Sequence, residues 1–201
     1  CPSAGAAGRA RSEAELGALV RASEGGRAEG VVRCVAAAEE SSAVMKAVGE
    51  RGLAKEGIKV IATGDLTDDD VLQSMGEPVV GVITSHHYSA HHDSPENKAF
   101  LKAFGEVNKE LKRPNVMAVG GYDGMAAIAE VVKKLGNTID GDKAMEILRN
   151  LKMTSPRGPI AIDPATRDII QTVYIRRVQK IGSDYYNVEF DKFPDVKDPG
   201  K

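Results

Sequence analysis

Three observations predict an α/β fold. Residues 31–88 alternate strand and helix signals, residues 94–151 carry successive amphipathic helices, and the chain ends in a β-rich tail. The first stretch has the order β-α-β-α-β, which predicts parallel strands with helices packed on the sheet. A length of 201 residues suits one large domain or parts of two.

Residues 1–30 stand apart. They are mostly Ala, Gly, Arg and Glu, with only Leu16, Leu19 and Val20 large and aliphatic. "SEAE" at 12–15 is a capping box that predicts a short helix from Glu13 to Ala22, yet the segment cannot build its own core. "VVRCVAAA" from Val31 then reads as a buried strand, with Cys34 a small buried residue. "SSAVMKAVGERG" predicts a helix capped by serine and stopped by Gly52. "IKVIAT" is a second strand. "LTDDDVLQSMG" predicts a helix with Thr67 as N-cap, three acids complementing the helix dipole, and Gly76 as stop. "VVGVITSHHY" is a third strand.

"SPENKAFLKAFGEVNKEL" opens with Ser94 as N-cap and Pro95 at the first helical position. Its apolar stripe is Phe100, Ala103, Phe104, Val107 and Leu111. "NVMAVGGYDGMAAIAEVVKKLG" is a Gly- and Ala-rich helix, and "DGDKAMEILRNL" places Ala144, Ile147, Leu148 and Leu151 on one face. "GPIAIDP" and "RDIIQTVYIRRVQKIGSDYYNVEF" are strands, with a hairpin turn at 182–184 and a loose end beyond.

Bulk properties exclude several functions. Net charge is −2, hydrophobic residues make up 42% and charged residues 28%. There is no basic excess for nucleic acid and no apolar run of about 18 residues for a membrane helix. Cys1 and Cys34 form no C-x-x-C pair. Neither a signal peptide nor an initiator Met is visible, so a processed or truncated product is expected, although Cys1 at the start also suits a lipidated N-terminus.

Three clusters carry candidate chemistry. All four histidines, His86, His87, His91 and His92, lie within seven residues. With Asp93 they suit a metal site if the loop folds back. Otherwise they are polar aromatics at the exit of a parallel strand, where open α/β sheets bind ligands. In "TGDLTDDD", Asp68, Asp69 and Asp70 read as first-turn acids facing water or, alternatively, a magnesium cluster. Asp65 ends a strand and points to the crevice, unless it caps the next helix. In "GGYDG", Tyr122 flanked by glycines suits an aromatic wall over a small molecule, or else a core tyrosine. No G-x-S-x-G, H-E-x-x-H or Walker motif is present, which disfavours an enzyme.

From about Val31 to Lys201 the chain resembles the C-terminal half of the periplasmic solute-binding proteins of branched-chain amino acid ABC transporters. The stretches "GIKVIATGDLTDDD", "GVITSHHYSAHHDSPENKAF", "AVGGYDGMAAIAE", "SPRGPIAIDPATRDIIQTVYIRRV" and "YYNVEFDKFPDVKDPGK" carry the resemblance. It implies the type I periplasmic binding fold, with two Rossmann-like lobes joined by crossing strands and a ligand in the cleft, and with the first lobe incomplete in this chain. On that plan residues 31–88 are second-lobe α/β structure, with strand 79–88 a crossing. Residues 89–165 are first-lobe helical structure, and 166–201 are the β-rich crossover and tail. The histidines then lie beside the cleft and need no metal.

The resemblance also implies site residues. Asp65 matches the acidic position that meets a ligand ammonium, and Tyr122 the aromatic residue laid against the ligand. Ala37 and Ala38 stand where larger residues often occur, which opens the size and class of the ligand. His86 and Tyr88, at the hinge, are further candidates. The implied function is capture of an amino acid or related small organic acid in the periplasm, and its delivery to an ABC permease, without cofactor, metal or catalysis. Residues 1–30 show no match to the family and have the composition of a shifted reading frame in a GC-rich gene. With half of the family's length missing, self-association of the chain is expected. Competing readings are a ligand-sensing regulatory domain on the same fold, a metal-binding protein using the cluster from His86 to His92, and a phosphoryl receiver suggested by the aspartates.

Overall fold

In the computed structural model, residues 31–34, 41–136, 138 and 140–197 are described. The helix expected from residue 13 and the two alanines Ala37 and Ala38 lie outside them. Strands β1 (Val31–Cys34), β2 (Lys59–Thr63) and β3 (Ile83–His86) pair in parallel, as the alternation of strand and helix signals requires. Helix α1 (Ser41–Glu50) returns the chain from β1 to β2 and buries Val44 and Val48, four residues apart, with Met45 on the same face.

The segment expected as the next helix is three short 3₁₀ turns instead, Gly64–Thr67, Leu72–Met75 and Glu77–Val79. Local propensity loses here to tertiary demand. The Thr67 hydroxyl does not cap a helix but donates to Asn187 Oδ1 at 2.9 Å. Nor do the acids all face water: Asp68 and Asp69 are buried. Asp68 accepts the Asp69 and Val116 N–H groups. Asp69 accepts the Ala90 N–H and the Asn187 amide. Asp70 accepts the Asn115 amide at 2.9 Å. The acidic run is a set of inward anchors, so the water-facing expectation is corrected for Asp68 and Asp69.

After β3 the chain turns through residues 87–94. Asn97 holds this turn by donating to Ala90 O and His92 O and accepting the Tyr88 hydroxyl. Helix α2 (Pro95–Val107) begins as expected, with the Ser94 hydroxyl accepting the Asn97 N–H. Helix α3 (Val116–Leu135) is capped by Asn115, and α4 (Gly141–Arg149) by Asp140. Strands β4 (Lys152–Ser155) and β5 (Gly158–Ile162) form a hairpin. The long strands β6 (Ile169–Ile181) and β7 (Asp184–Val196) form another, joined by Gly182 and Ser183. Gly182 has φ +64°, a conformation that costs glycine nothing.

Strand β6 joins the two parts of the sheet. Its first residues, Ile169–Gln171, pair with β5, while Tyr174–Arg177 pair with β3 along the same edge. The opposite edge pairs with β7 over most of its length. The continuous spanning strands are therefore β6 and β7. The strand expected over 79–88 is only four residues long, because Val79 belongs to a 3₁₀ turn.

Two apolar cores lie on this frame. One gathers Met45, Leu53, Leu66, Leu72, Val79 and Val178, and the other Tyr88, Phe100, Val116 and Val119. Each fully buried aliphatic side chain contributes about 1.5–3 kcal/mol relative to exposure. Between the cores lies Arg176, with no exposed surface. It donates to Thr84 Oγ1, Gly64 O and Tyr88 O, three acceptors from three different segments. Burial opposes its charge, and the field of Asp69 supports it.

Helices α2 and α3 leave an apolar face uncovered. Met117 (75%), Met125 (65%), Ile128, Val132 and Val107 (84%) are exposed. Of the expected α2 stripe only Phe100 is buried, and Leu111 lies beyond the helix end.

Two outcomes are expected. Arg176→Met should cost about 3–5 kcal/mol, because Asp69 is left as an uncompensated buried charge. Adding Asp69→Asn should recover part of that loss. Urea unfolding of the single and double variants measures both, and additive effects would refute the coupling. The 201-residue chain alone should associate as its concentration rises, because apolar patches beyond ~400 Å² seldom stay bare. Light scattering showing a monomer across the micromolar range would refute this.

Candidate ligand cleft

The ends of β2 and β3 bring Asp65 and His86 together, as parallel strands do at their carboxyl edge. Asp65 follows Gly64 in the first 3₁₀ turn, and its side chain is 56% exposed. Its carboxylate caps no helix: the residue before that turn, Thr63, makes no side-chain cap bond either. His86 is buried, with Nε2 3.9 Å from Asp65 Oδ1. Gly64 is obligatory beside it, since a Cβ there would overlap the imidazole. The His87 ring meets that of His86 edge-on at 4.6 Å.

Both rings are held neutral. Burial, then the charge of Arg176, pulls His86 down to about 3. Burial, then Arg157 and Arg176, pulls His87 down to about 4. Arg157 lies in the turn between β4 and β5, where Nε donates to Asp123 Oδ2 at 2.8 Å and Nη1 to Gln171. Asp123 stands on α3, so this buried ion pair ties α3 to the β4–β5 turn, and the Gln171 bond extends the tie to β6.

Tyr122, beside Asp123 on α3, is 48% exposed and its ring lies 4.9 Å from that of Phe100. It presents an open aromatic face, flanked by Gly120, Gly121 and Gly124. Tyr88 follows β3, is buried in the second core, and its hydroxyl is committed to Asn97, so it offers no free polar group to a ligand. Ala37 and Ala38 lie outside the described residues. His91 packs on Tyr186 and His92 bonds the Glu189 carboxylate, so the four histidines divide between different partners. Among the described residues, no three His, Cys, Asp or Glu side chains converge as metal ligands do.

Three features were missed in the sequence: the Arg157–Asp123 pair, the buried Arg176, and the need for Gly64. Asp123 sits inside the "GGYDG" stretch, but its partner is 34 residues away. The strand-end position of Gly64 was the available signal.

A twisted sheet spanned by two long strands, with polar groups at the strand ends and an aromatic face on an adjoining helix, defines a two-part ligand-binding fold. The chain belongs to the periplasmic binding protein family, matched over residues 9–184. The match reaches back into the segment set apart by composition, so the statement that residues 1–30 show no match is corrected for 9–30. It is 38% identical over 177 residues to the Leu/Ile/Val-binding protein homolog 6 of Brucella abortus, covering 86% of this chain and 45% of that protein. A solute-binding protein of an ABC transporter from Rhodopseudomonas palustris BisB5, solved with 3,4-dihydroxybenzoic acid, is 45% identical with a TM-score of 0.82. The likeness covers 93% of this chain and 50% of that one. Another from R. palustris, solved with 4-hydroxybenzoate, is 33% identical with a TM-score of 0.82, over 90% of this chain and 49% of that one. The chain thus spans about half the length of the relatives it matches. These relatives are binding proteins, not enzymes, and their type I periplasmic binding fold is the one described above.

The neutral histidines carry a pH signature. In the unfolded chain they titrate near 6.5, so between about pH 6.5 and 4 unfolding takes up protons that the folded chain refuses. Their contribution to stability is complete above 6.5 and declines on acidification. Asp68, pushed up to about 6 by burial, and Asp69, also raised by burial, act in the opposite sense, since each loses stability as pH rises through its carboxyl range. The histidine share of the pH dependence is a fall in melting temperature from pH 6.5 to 4. His87→Gln should flatten that fall, and an unchanged slope in differential scanning calorimetry would refute the assignment.

Proposed function

We propose that this chain forms the hinge and one wall of the ligand cleft of a periplasmic solute-binding protein, which captures a small organic acid and delivers it to an ABC permease. The observation that carries this reading is the convergence of Asp65 and His86 at the strand ends beside β6, the strand that spans both parts of the sheet. On this reading Asp65 and His86 meet the polar end of the ligand. The exposed face of Tyr122 stacks on its body, where an aromatic contact adds about 0.5–1.5 kcal/mol.

Relatives point to two ligand classes. The curated relatives are named for branched-chain amino acids, while the two R. palustris proteins were solved with hydroxylated benzoates. The stronger likeness, at 45% identity, is to a protein solved with an aromatic acid. Tyr122 suits a flat ring, so the aromatic acid is the favoured ligand here and the amino acid the second reading. A sensor domain on the same fold would bind similar molecules but would not stimulate uptake by a permease.

Thermal shift of the full-length gene product against hydroxybenzoates, benzoate and branched-chain amino acids tests the proposal. A ligand at a hundred times its Kd adds about 2.7 kcal/mol, a rise of several degrees. Tyr122→Ala should weaken that ligand about tenfold. A panel in which no acid raises the melting temperature would refute this function.

A further inference from the structure

Among the described residues, two buried side-chain polar atoms lack a hydrogen-bond partner, His86 Nε2 and Asp123 Oδ1. The other oxygen of Asp123 is satisfied by Arg157, so that carboxylate already has its structural role. His86 differs. Its Nδ1 accepts the backbone N–H of His87 at 2.9 Å, which leaves Nδ1 without a proton. The neutral ring must therefore carry its hydrogen on Nε2. Among the described residues, the acceptor found near that donor is the Asp65 carboxylate, at 3.9 Å. The distance is too long for a hydrogen bond, and one oxygen about 2.8 Å from each atom spans it.

A buried donor without a partner is costly, so the native protein should fill this position when it works. Donor and acceptor stand side by side, and the chemical groups that fit both are few. An ammonium only donates: it would satisfy Asp65 and leave His86 Nε2–H facing another donor. A carboxylate only accepts, and Asp65 would repel it. A hydroxyl donates one hydrogen and accepts others. Nε2 is closed off from solvent in this conformation, but Asp65 is half exposed and its side chain can swing to admit an oxygen.

We propose that His86 and Asp65 together recognise a hydroxyl group of the bound acid, His86 Nε2 donating to its oxygen and Asp65 accepting its hydrogen. The inference rests on the solute-binding reading above and narrows it: the ligand is a hydroxylated acid without an amine, with a phenol as the group read. It replaces the role that the resemblance implied for Asp65, which was to meet an ammonium. Gly64 belongs to the same device, because any side chain there would displace the imidazole.

Isothermal calorimetry on the full-length protein with 3,4-dihydroxybenzoate, 4-hydroxybenzoate, benzoate and leucine tests this. At least one hydroxylated acid should bind about a hundredfold or more tighter than benzoate, because a site built for a hydroxyl rejects the analogue lacking it. Asp65→Ala, at an exposed position, should shrink that preference to within about tenfold. His86→Phe should do the same. Equal wild-type affinity for benzoate and both hydroxylated acids would overturn hydroxyl recognition and leave the binding-protein reading standing. So would a preference that survives Asp65→Ala. Leucine bound tighter than any benzoate would overturn the ligand class. A folded protein that binds none of the four would overturn the proposed function and this inference with it.

Discussion

The guanidinium of Arg176 is the constraint on which the rest depends. It sits on the spanning strand β6, wholly buried, and its acceptors lie on Gly64, Thr84 and Tyr88. Gly64 follows β2, Thr84 lies in β3, and Tyr88 lies in the turn to α2. One side chain thus sets where two parallel strands stop and where the chain leaves the sheet. A buried charge is expensive, and it is tolerated here because its donors are met and Asp69 lies in its field. That field also bears on the cleft, where it helps hold His86 and His87 uncharged.

The frame has a second consequence. Along one edge β6 meets β5 and then β3, and along the other it meets β7. Strands that run through both parts of a sheet bind them together yet let the parts flex about the strand axis, which suits a cleft that closes on a ligand. Asp68 adds a tie from the other direction, holding the first N–H of α3 from the turn after β2. The carboxyl edge of the parallel strands and the start of the helix that carries Tyr122 are therefore positioned by one short acidic run. Helix α3, which carries Tyr122, also carries the exposed apolar residues Met117, Met125, Ile128 and Val132.

The region at the strand ends is rich in directed hydrogen-bond groups. His86 and His87 are neutral, Arg157 and Arg176 are satisfied by Asp123, Gln171 and backbone carbonyls, and Asp65 is an exposed carboxylate. On the proposed reading, a site built this way selects by the geometry of donors and acceptors more than by attraction between ions.

The sequence alone determined the periodic elements. Helices α1–α4, with the cap at Ser94, and the turn at Gly182 follow from rules that act over a few residues, and so were readable. The strand-end places of Asp65 and His86, and the exposure of Tyr122 among its glycine neighbours, were readable as well. Tertiary structure alone decided the fate of Asp68, Asp69 and Thr67, which read as a helix start and became buried anchors for α3, Ala90 and Asn187. It alone decided that Arg157 belongs with Asp123 and Arg176 with Gly64, Thr84 and Tyr88. The physical reason is range. Propensity and capping energies are about 1 kcal/mol and local, whereas an unmet buried charge costs several kcal/mol and finds its partner wherever the fold brings one.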